Sequence, residues 1–245
     1  MIAQLSAFTK VGPQLPGSNP GAQYERQGVR YYVKGSAVGS EAIGIARAQN
    51  EVLTAKLLKA AGAGVVDMDL AQGLPPELGS RWGVASRFIH GKPLLPATGR
   101  IVEAVWLDFA AHAWLANRDV IGHDFLNTVI VDGVAINTDQ GGGLLFTGQG
   151  RLKYPELAFG DMPADVMEWF TLRDTRINPA AWFYDSMSDV ELRASARKVL
   201  AVTDATIIQL VHAYGPGGSD LRSRLANSLI ARREATGRLI EASSR

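Results

Sequence analysis

Residues Asn117 to Gly143 read N-R-D-V-I-G-H-D-F-L-N-T-V-I-V-D-G-V-A-I-N-T-D-Q-G-G-G. The β-branched run at 128–131, the pair Asp132 and Gly133, and the apolar run at 134–136 predict a tight hairpin. Asp-Gly between two apolar runs suits the left-handed backbone of such a turn. The hairpin brings Asn127, just before its first strand, beside Asp139, just after its second. An amide oxygen and a carboxylate meeting there supply the oxygen ligands that Mg²⁺ prefers. Asp119 precedes Asn127 by eight residues, and Asp124 precedes Asn127 by three.

Upstream, Val102, Trp106, Phe109, Ala110, Ala113 and Trp114 recur at helical spacing. They predict one amphipathic helix over 99–117 whose aromatic residues are core and which delivers Asp119. Downstream the pattern turns helical. Asp161 with Pro163 reads as a helix start, as does Asn178 with Pro179. Ser188 followed by Glu191 is a capping box opening a helix to about 202. Further helices are expected over 203–214 and, after the breaker at 215–218, from Ser219 to about 241. The charged run of Arg232, Arg233, Glu234 and Arg238 reads as a solvated face.

The first ninety residues read differently. Strands are expected over 8–11, 23–26, 29–34, 64–70 and 81–89, with one helix over 41–61 between the third and fourth. In that helix Ile45, Ala48, Val52, Ala55 and Leu58 form an apolar stripe, and Glu51 flanks it. Gly17, Ser18, Asn19, Pro20 and Gly21 join two strands. Their backbone N–H groups can fold around phosphate oxygens, or the stretch is an ordinary surface turn. It is not a Walker A loop, because no Gly-Lys-Ser/Thr follows. Lys34 ends the third strand. The pattern breaks at 90–93, so a hinge is placed at 87–91, where Phe88 and Ile89 either line a pocket or belong to a core strand. Strands first and helices after suit a two-lobed α+β fold.

Composition narrows the function classes. A chain of 245 residues, 47% of them hydrophobic, can bury one large core or two small lobes. A formal net charge of +1 provides no bulk attraction for nucleic acid or an anionic membrane. Cysteine is absent, and the four histidines show no zinc-ligand spacing. No apolar run is long enough to span a bilayer and no signal peptide is evident at the N-terminus, so a soluble cytoplasmic protein is expected.

The order of Lys34, Glu51, Asp119, Asn127 and Asp139 resembles the protein-kinase-like superfamily, most of all its HipA-like and phosphatidylinositol 3- and 4-kinase-like branches and the kinase-like proteins of bacteriophages. The resemblance covers residues 8–146, and the phage likeness extends into the helical tail. It implies a two-lobed kinase-like fold: an ATP-binding small lobe over 1–90, an antiparallel sheet plus one helix, and a mostly helical large lobe over 91–245 carrying the catalytic loop and metal site. It implies that Lys34, held by Glu51, binds ATP phosphates, and that Ser18, Asn19 and Gly21 cover them. Phe88 and Ile89 then lie against the adenine, Asn127 and Asp139 hold Mg²⁺, and Asp119 receives the acceptor's proton. The acceptor would be a hydroxyl, most simply on a protein, and the location the host cytoplasm or a virion.

The sequence departs from the pattern in two places. Kinases usually place five residues between catalytic Asp and metal-binding Asn, so Asp124, with His123, remains the alternative base to Asp119. Gln140 follows Asp139 where kinases carry Phe, and no Ala-Pro-Glu element closes an activation segment. Two other functions stay open: a non-catalytic nucleotide-binding or structural module, and transfer of the adenylyl group on the same fold.

Overall fold

The computed structural model describes residues 2–15, 17, 19–36, 40–94, 99–122 and 125–242. Short alternating segments in the first part of the chain pair into a six-stranded sheet. Its strands are β1 (Ile2–Gln4), β2 (Thr9–Gly12), β3 (Gly21–Arg26), β4 (Val29–Lys34), β5 (Met68–Gln72) and β6 (Trp82–Arg87), in the order β1-β5-β6-β4-β3-β2. Only the β1–β5 pair is parallel. The turn from β3 to β4 uses Gln27 and Gly28, both at positive φ, as a two-residue hairpin requires.

The sheet has six strands where the spacing predicts five. β1 is three residues long, too short for alternation to reveal it. The strand expected over 64–70 is displaced to β5. Gly64 gives its N–H to Asp108 Oδ2, and the N–H groups of Val66 and Asn137 bond to Asn137 and Gly64 carbonyls, so 64–66 is drawn toward a second sheet. That sheet contains β7 (Lys92–Pro93), β8 (Thr128–Val131) and β9 (Val134–Asn137). Asp132 and Gly133 make the expected hairpin turn, both with φ > 0.

The first sheet must curl. Gln4 and Thr9 lie in its two edge strands, and five residues span at most about 18 Å. Six flat strands would put those edges about 24 Å apart. Curling encloses Leu5, Ala22, Tyr24, Val33, Ala71, Leu74, Leu78 and Ala85. Met68, Leu70 and Val84 meet Ala48, Val52 and Ala55 of α1 (Glu41–Ala60). Ser40 caps α1 by accepting the Ile43 N–H. Leu53, Leu57 and Leu58 of α1 enter the large second core, so α1 is buried on both flanks.

The remaining helices are α2 (Gly99–Trp106), α3 (Phe109–Trp114), α4 (Glu168–Thr171), α5 (Asp189–Leu200), α6 (Asp204–Tyr214) and α7 (Ser219–Ala242). The single helix expected over 99–117 is broken between α2 and α3. Ser195 Oγ of α5 accepts the Ala110 N–H at 2.7 Å and donates to Leu107 O at 3.2 Å, replacing bonds of the helical ladder. Phe109 and Trp114 are fully buried, as the stripe predicts, and Trp114 Nε1 donates to Leu229 O of α7.

No helix begins at Asp161. Its carboxylate pairs with Arg224, while the Pro163 and Asp165 carbonyls accept from Arg232, so bonds a helix would use point elsewhere. Asn178 does cap a turn, but a 3-10 turn, Pro179–Phe183. Ser188 and Glu191 form the capping box of α5. Arg232 corrects the reading of the charged run as solvated. It is 0% exposed and gives its guanidinium to four backbone carbonyls and to Glu168. Among the described residues no helix is long and apolar enough to cross a membrane.

Candidate active site

Lys34 is the last residue of β4, opposite Gly21 on β3 and Val84 on β6. On this strand Tyr32 and Lys34 share a face. Tyr32 explains Gly21: a Cβ there would overlap the phenol oxygen. The ammonium of Lys34 reaches Glu51 Oε1 of α1 at 2.7 Å and Asp139 Oδ2 at 3.0 Å. Glu51 is buried, whereas the Asp139 side chain keeps 41% of its surface exposed. Burial opposes the charge on Lys34, but the carboxylates of Asp139 and Glu51 outweigh it and raise its pKa. Burial raises Glu51 against the pull of Lys34. For Asp139 the balance reverses. Burial resists ionisation, yet Lys34 and the Gly141 N–H hold the carboxyl below its ordinary value.

The hairpin delivers Asp139, and a brace from α1 fixes the glycine-rich segment beyond it. Asn50, one residue before Glu51 and fully buried, donates to Gly143 O at 2.9 Å and accepts from Leu145 N at 3.1 Å. Lys153 adds a second brace. Its Nζ donates to the carbonyls of Ala116, Gly142 and Leu144, joining the segment before Asp119 to the one after Asp139. Burial pushes its pKa down to about 7, against the pull of Glu168.

Asp119 is oriented from both sides. Its N–H donates to Asn117 Oδ1 at 3.1 Å, and its carbonyl accepts from Asn127 Nδ2 at 2.8 Å. Asn117 is itself buried, donating toward Gln140 Oε1 and His112 Nδ1. The chain enters this arrangement through Ala116, a non-glycine residue at φ 51°, held there by Lys153 on its carbonyl. Burial raises the Asp119 pKa, with Asp139 adding to the rise and Asn127 opposing it. Asn127 spends its amide N–H on Asp119. Asn127 and Asp139 line one cleft.

That cleft has a volume of about 290 Å³. Leu15, Tyr32, Val66, Ile89, Leu126 and Val129 make its apolar walls, and Lys34, Asn127 and Asp139 stand in it as well. Phe88 and Ile89 both line it, just beyond the end of β6. Its size and mixed lining suit a heteroaromatic base with a polar, anionic tail.

The structure thus brings together Lys34, Glu51 and Asp139 by direct contact, and Asp119 with Asn127. Asn19 lies in the small cavity on the far side of Lys34. Gly21 is a strand residue paired with Lys34 rather than part of the turn. Ser18, His123 and Asp124 lie outside the described residues. Tyr32, Asn50 and Lys153 carry no signal in the sequence. Asn117 opens the stretch that holds Asp119 and Gln140 follows Asp139, but nothing in the sequence marks their buried contacts. Arg47 has a signal available, since it precedes Glu51 by four residues on a helix and so shares its face.

No family model and no curated protein sequence matches this chain. A solved structure does, that of a Helicobacter pylori proinflammatory kinase, CtkA. It superposes on the chain with a TM-score of 0.58 over 99% of both chains, at 9% sequence identity.

The fold is kinase-like.

The cleft just described lies between the mainly antiparallel N-terminal sheet and the β8–β9 hairpin. At 9% identity the likeness carries the architecture, and the chemistry rests on the residues of this chain.

Proposed function

We propose that the protein is an ATP- and Mg²⁺-dependent phosphotransferase acting on a hydroxyl, most simply on a protein. The observation that carries this is Lys34, clamped between Glu51 and Asp139 where a base-sized cleft meets Asn127. The division of labour follows the fold: residues 1–90 form the nucleotide-binding lobe, and residues 91–245 carry Asp119 and the metal ligands. The protein works in the cytoplasm or, if phage-encoded, in the host cytoplasm or a virion. Its branch is that of the small HipA-like, phosphatidylinositol-kinase-like and phage kinase-like proteins.

The donor set fits magnesium. Asn127 and Asp139 are oxygen ligands, as a hard cation requires. Asn127 and Asp139 would hold the ion, and among the described residues no cluster of three His, Cys, Asp or Glu forms a closed cage. Magnesium held there supplies neutralisation of charge along the phosphates. The chain does the rest. Leu15, Val66 and Ile89 hold the base with Phe88 at the rim. Lys34 binds phosphate oxygens, and Glu51 keeps its ammonium in place. Asp119 accepts the proton of the acceptor hydroxyl as the oxygen bonds to the phosphoryl group and the bond to ADP breaks. Its raised pKa makes it a better proton acceptor than an ordinary carboxylate.

Incubation with γ-labelled or α-labelled ATP, Mg²⁺ and a host protein extract, or with the protein alone, tests the reading. Phosphotransfer moves the γ label onto protein, which is the expected result. Movement of the α label instead means adenylylation. Tight ATP binding with neither transfer means a nucleotide-binding module.

A further inference from the structure

Arg47 stands on α1 one helical turn before Glu51. Its Nη1 donates to Ser36 Oγ at 2.7 Å and its Nη2 to Asn19 Oδ1 at 3.2 Å. The guanidinium lies flat against Gly150, where a Cβ would overlap it. Among the described residues no carboxylate lies within ion-pair distance of it, and burial lowers its pKa against the longer-range pull of Glu51 and Asp139. It is a partly buried cation whose bonds among the described residues go to neutral oxygens.

Its place beside the cleft gives it a use. Arg47 lines a small cavity with Asn19, Lys34, Ser36, Asp139, Gly141 and Gly148. This cavity shares Lys34 and Asp139 with the base cleft and no other residue. It lies beyond them, where the far end of a polyphosphate would come to rest. Its volume is about 20 Å³, enough for one water. The turn 147–150 closes it. Gly150 covers Arg47, and a Cβ on Gly148 would overlap Asp119 Oδ2. One turn therefore covers both the unneutralised cation and the candidate base.

We propose that Arg47 receives the terminal phosphate of a nucleoside triphosphate, and that the turn 147–150 draws back from Arg47 and Asp119 when it does. The proposal rests on the nucleotide-binding reading above and adds a specificity to it. Lys34 and Asp139 serve di- and triphosphates alike, whereas Arg47 is engaged only by the third phosphate. A guanidinium fits this task because its planar fork pairs bidentately with phosphate oxygens, which a lysine does not reproduce.

Calorimetric titration with ATP, ADP and AMP in the presence of Mg²⁺ tests this on the wild type, Arg47→Met and Arg47→Lys. The wild type should bind ATP more tightly than ADP. Arg47→Met should weaken ATP by roughly ten- to a hundred-fold, the equivalent of one charged hydrogen-bonded contact, while ADP and AMP affinities hold. Arg47→Lys should fall between. If Arg47 only props the loop bearing Asn19, ATP and ADP will weaken together, and the proposal fails. Unchanged affinities also overturn it. If Arg47→Met does not give a cooperative melt, Arg47→Lys decides alone: an ATP-to-ADP ratio equal to the wild type's rejects the role. A wild type that binds no nucleotide fails at the first titration, which marks failure of the phosphotransferase reading itself.

Discussion

Asp119 and Asp139 are carboxylates close enough to feel each other's charge, and their surroundings push them in opposite directions. Lys34 holds Asp139 ionised, whereas burial and the nearby Asp139 charge favour a proton on Asp119. Their losses should differ in kind. Asp139→Ala should abolish Mg²⁺-dependent tight ATP binding together with turnover, because it removes the carboxylate ligand and a partner of Lys34. Asp119→Ala should leave ATP binding near wild type and lower turnover by roughly 10²–10⁴-fold, the usual loss for a general base. Parallel binding and product assays on both variants, with Asp124→Ala beside them, check this. Wild-type turnover in both Asp119→Ala and Asp124→Ala would remove the base from the mechanism. Because Asp119 must be ionised to accept a proton and its pKa is raised, activity should fall on acidification at a pH above the ordinary aspartate value of 3.8. Lys34, Glu51, Asp119, Asn127 and Asp139 stand out in the sequence because their order resembles that of kinase-like proteins, and the structure brings Lys34 against Glu51 and Asp139. Lys153 does not stand out, since a lysine reads as solvated until three carbonyls are seen to converge on it.

Among the elements, α7 is the one whose reading changes most. Arg232 stands within its charged run, yet it links Trp114 and Ala113 of α3 to Pro163, Asp165 and Glu168. Glu168 passes the link on, accepting from Arg118 Nε and Nη2 at 3.0 and 2.8 Å, next to Asp119. Arg232→Met should destabilise the fold by about 3–5 kcal/mol, because it strands a buried carboxylate and several carbonyls. Adding Glu168→Gln to that variant should cost less than the two single changes summed, since they share one network. Urea denaturation of the three variants measures it, and strict additivity would show that the pair is not coupled. Periodicity found α7 but not its orientation, because a buried arginine and a solvated one have the same letter. The capping box of α5 was legible because Ser188 and Glu191 act locally. The break between α2 and α3 was not, because the hydroxyl that causes it comes from Ser195, 85 residues beyond Ala110.

For the whole molecule, the change from strand-rich to helix-rich sequence predicted the α+β architecture, and the kinase-like superposition agrees with it. Composition could report the change because strand and helix periods differ. It could not report the curl of the first sheet, which follows from the brevity of β1 and of the link to β2. That curl has a consequence for solution behaviour. The two edge strands, β1 and β2, both come from the first twelve residues. One short stretch thus shields the backbone of β5 at one margin and of β3 at the other. Deleting residues 1–12 should uncover two rows of unpaired amides and carbonyls, the template for strand addition between molecules. Light scattering against concentration should show the trimmed chain self-associating where the full chain stays dispersed, and a trimmed chain that remains monomeric would refute this. In colloidal terms, the opening dozen residues keep each copy of the sheet from becoming a seed for the next.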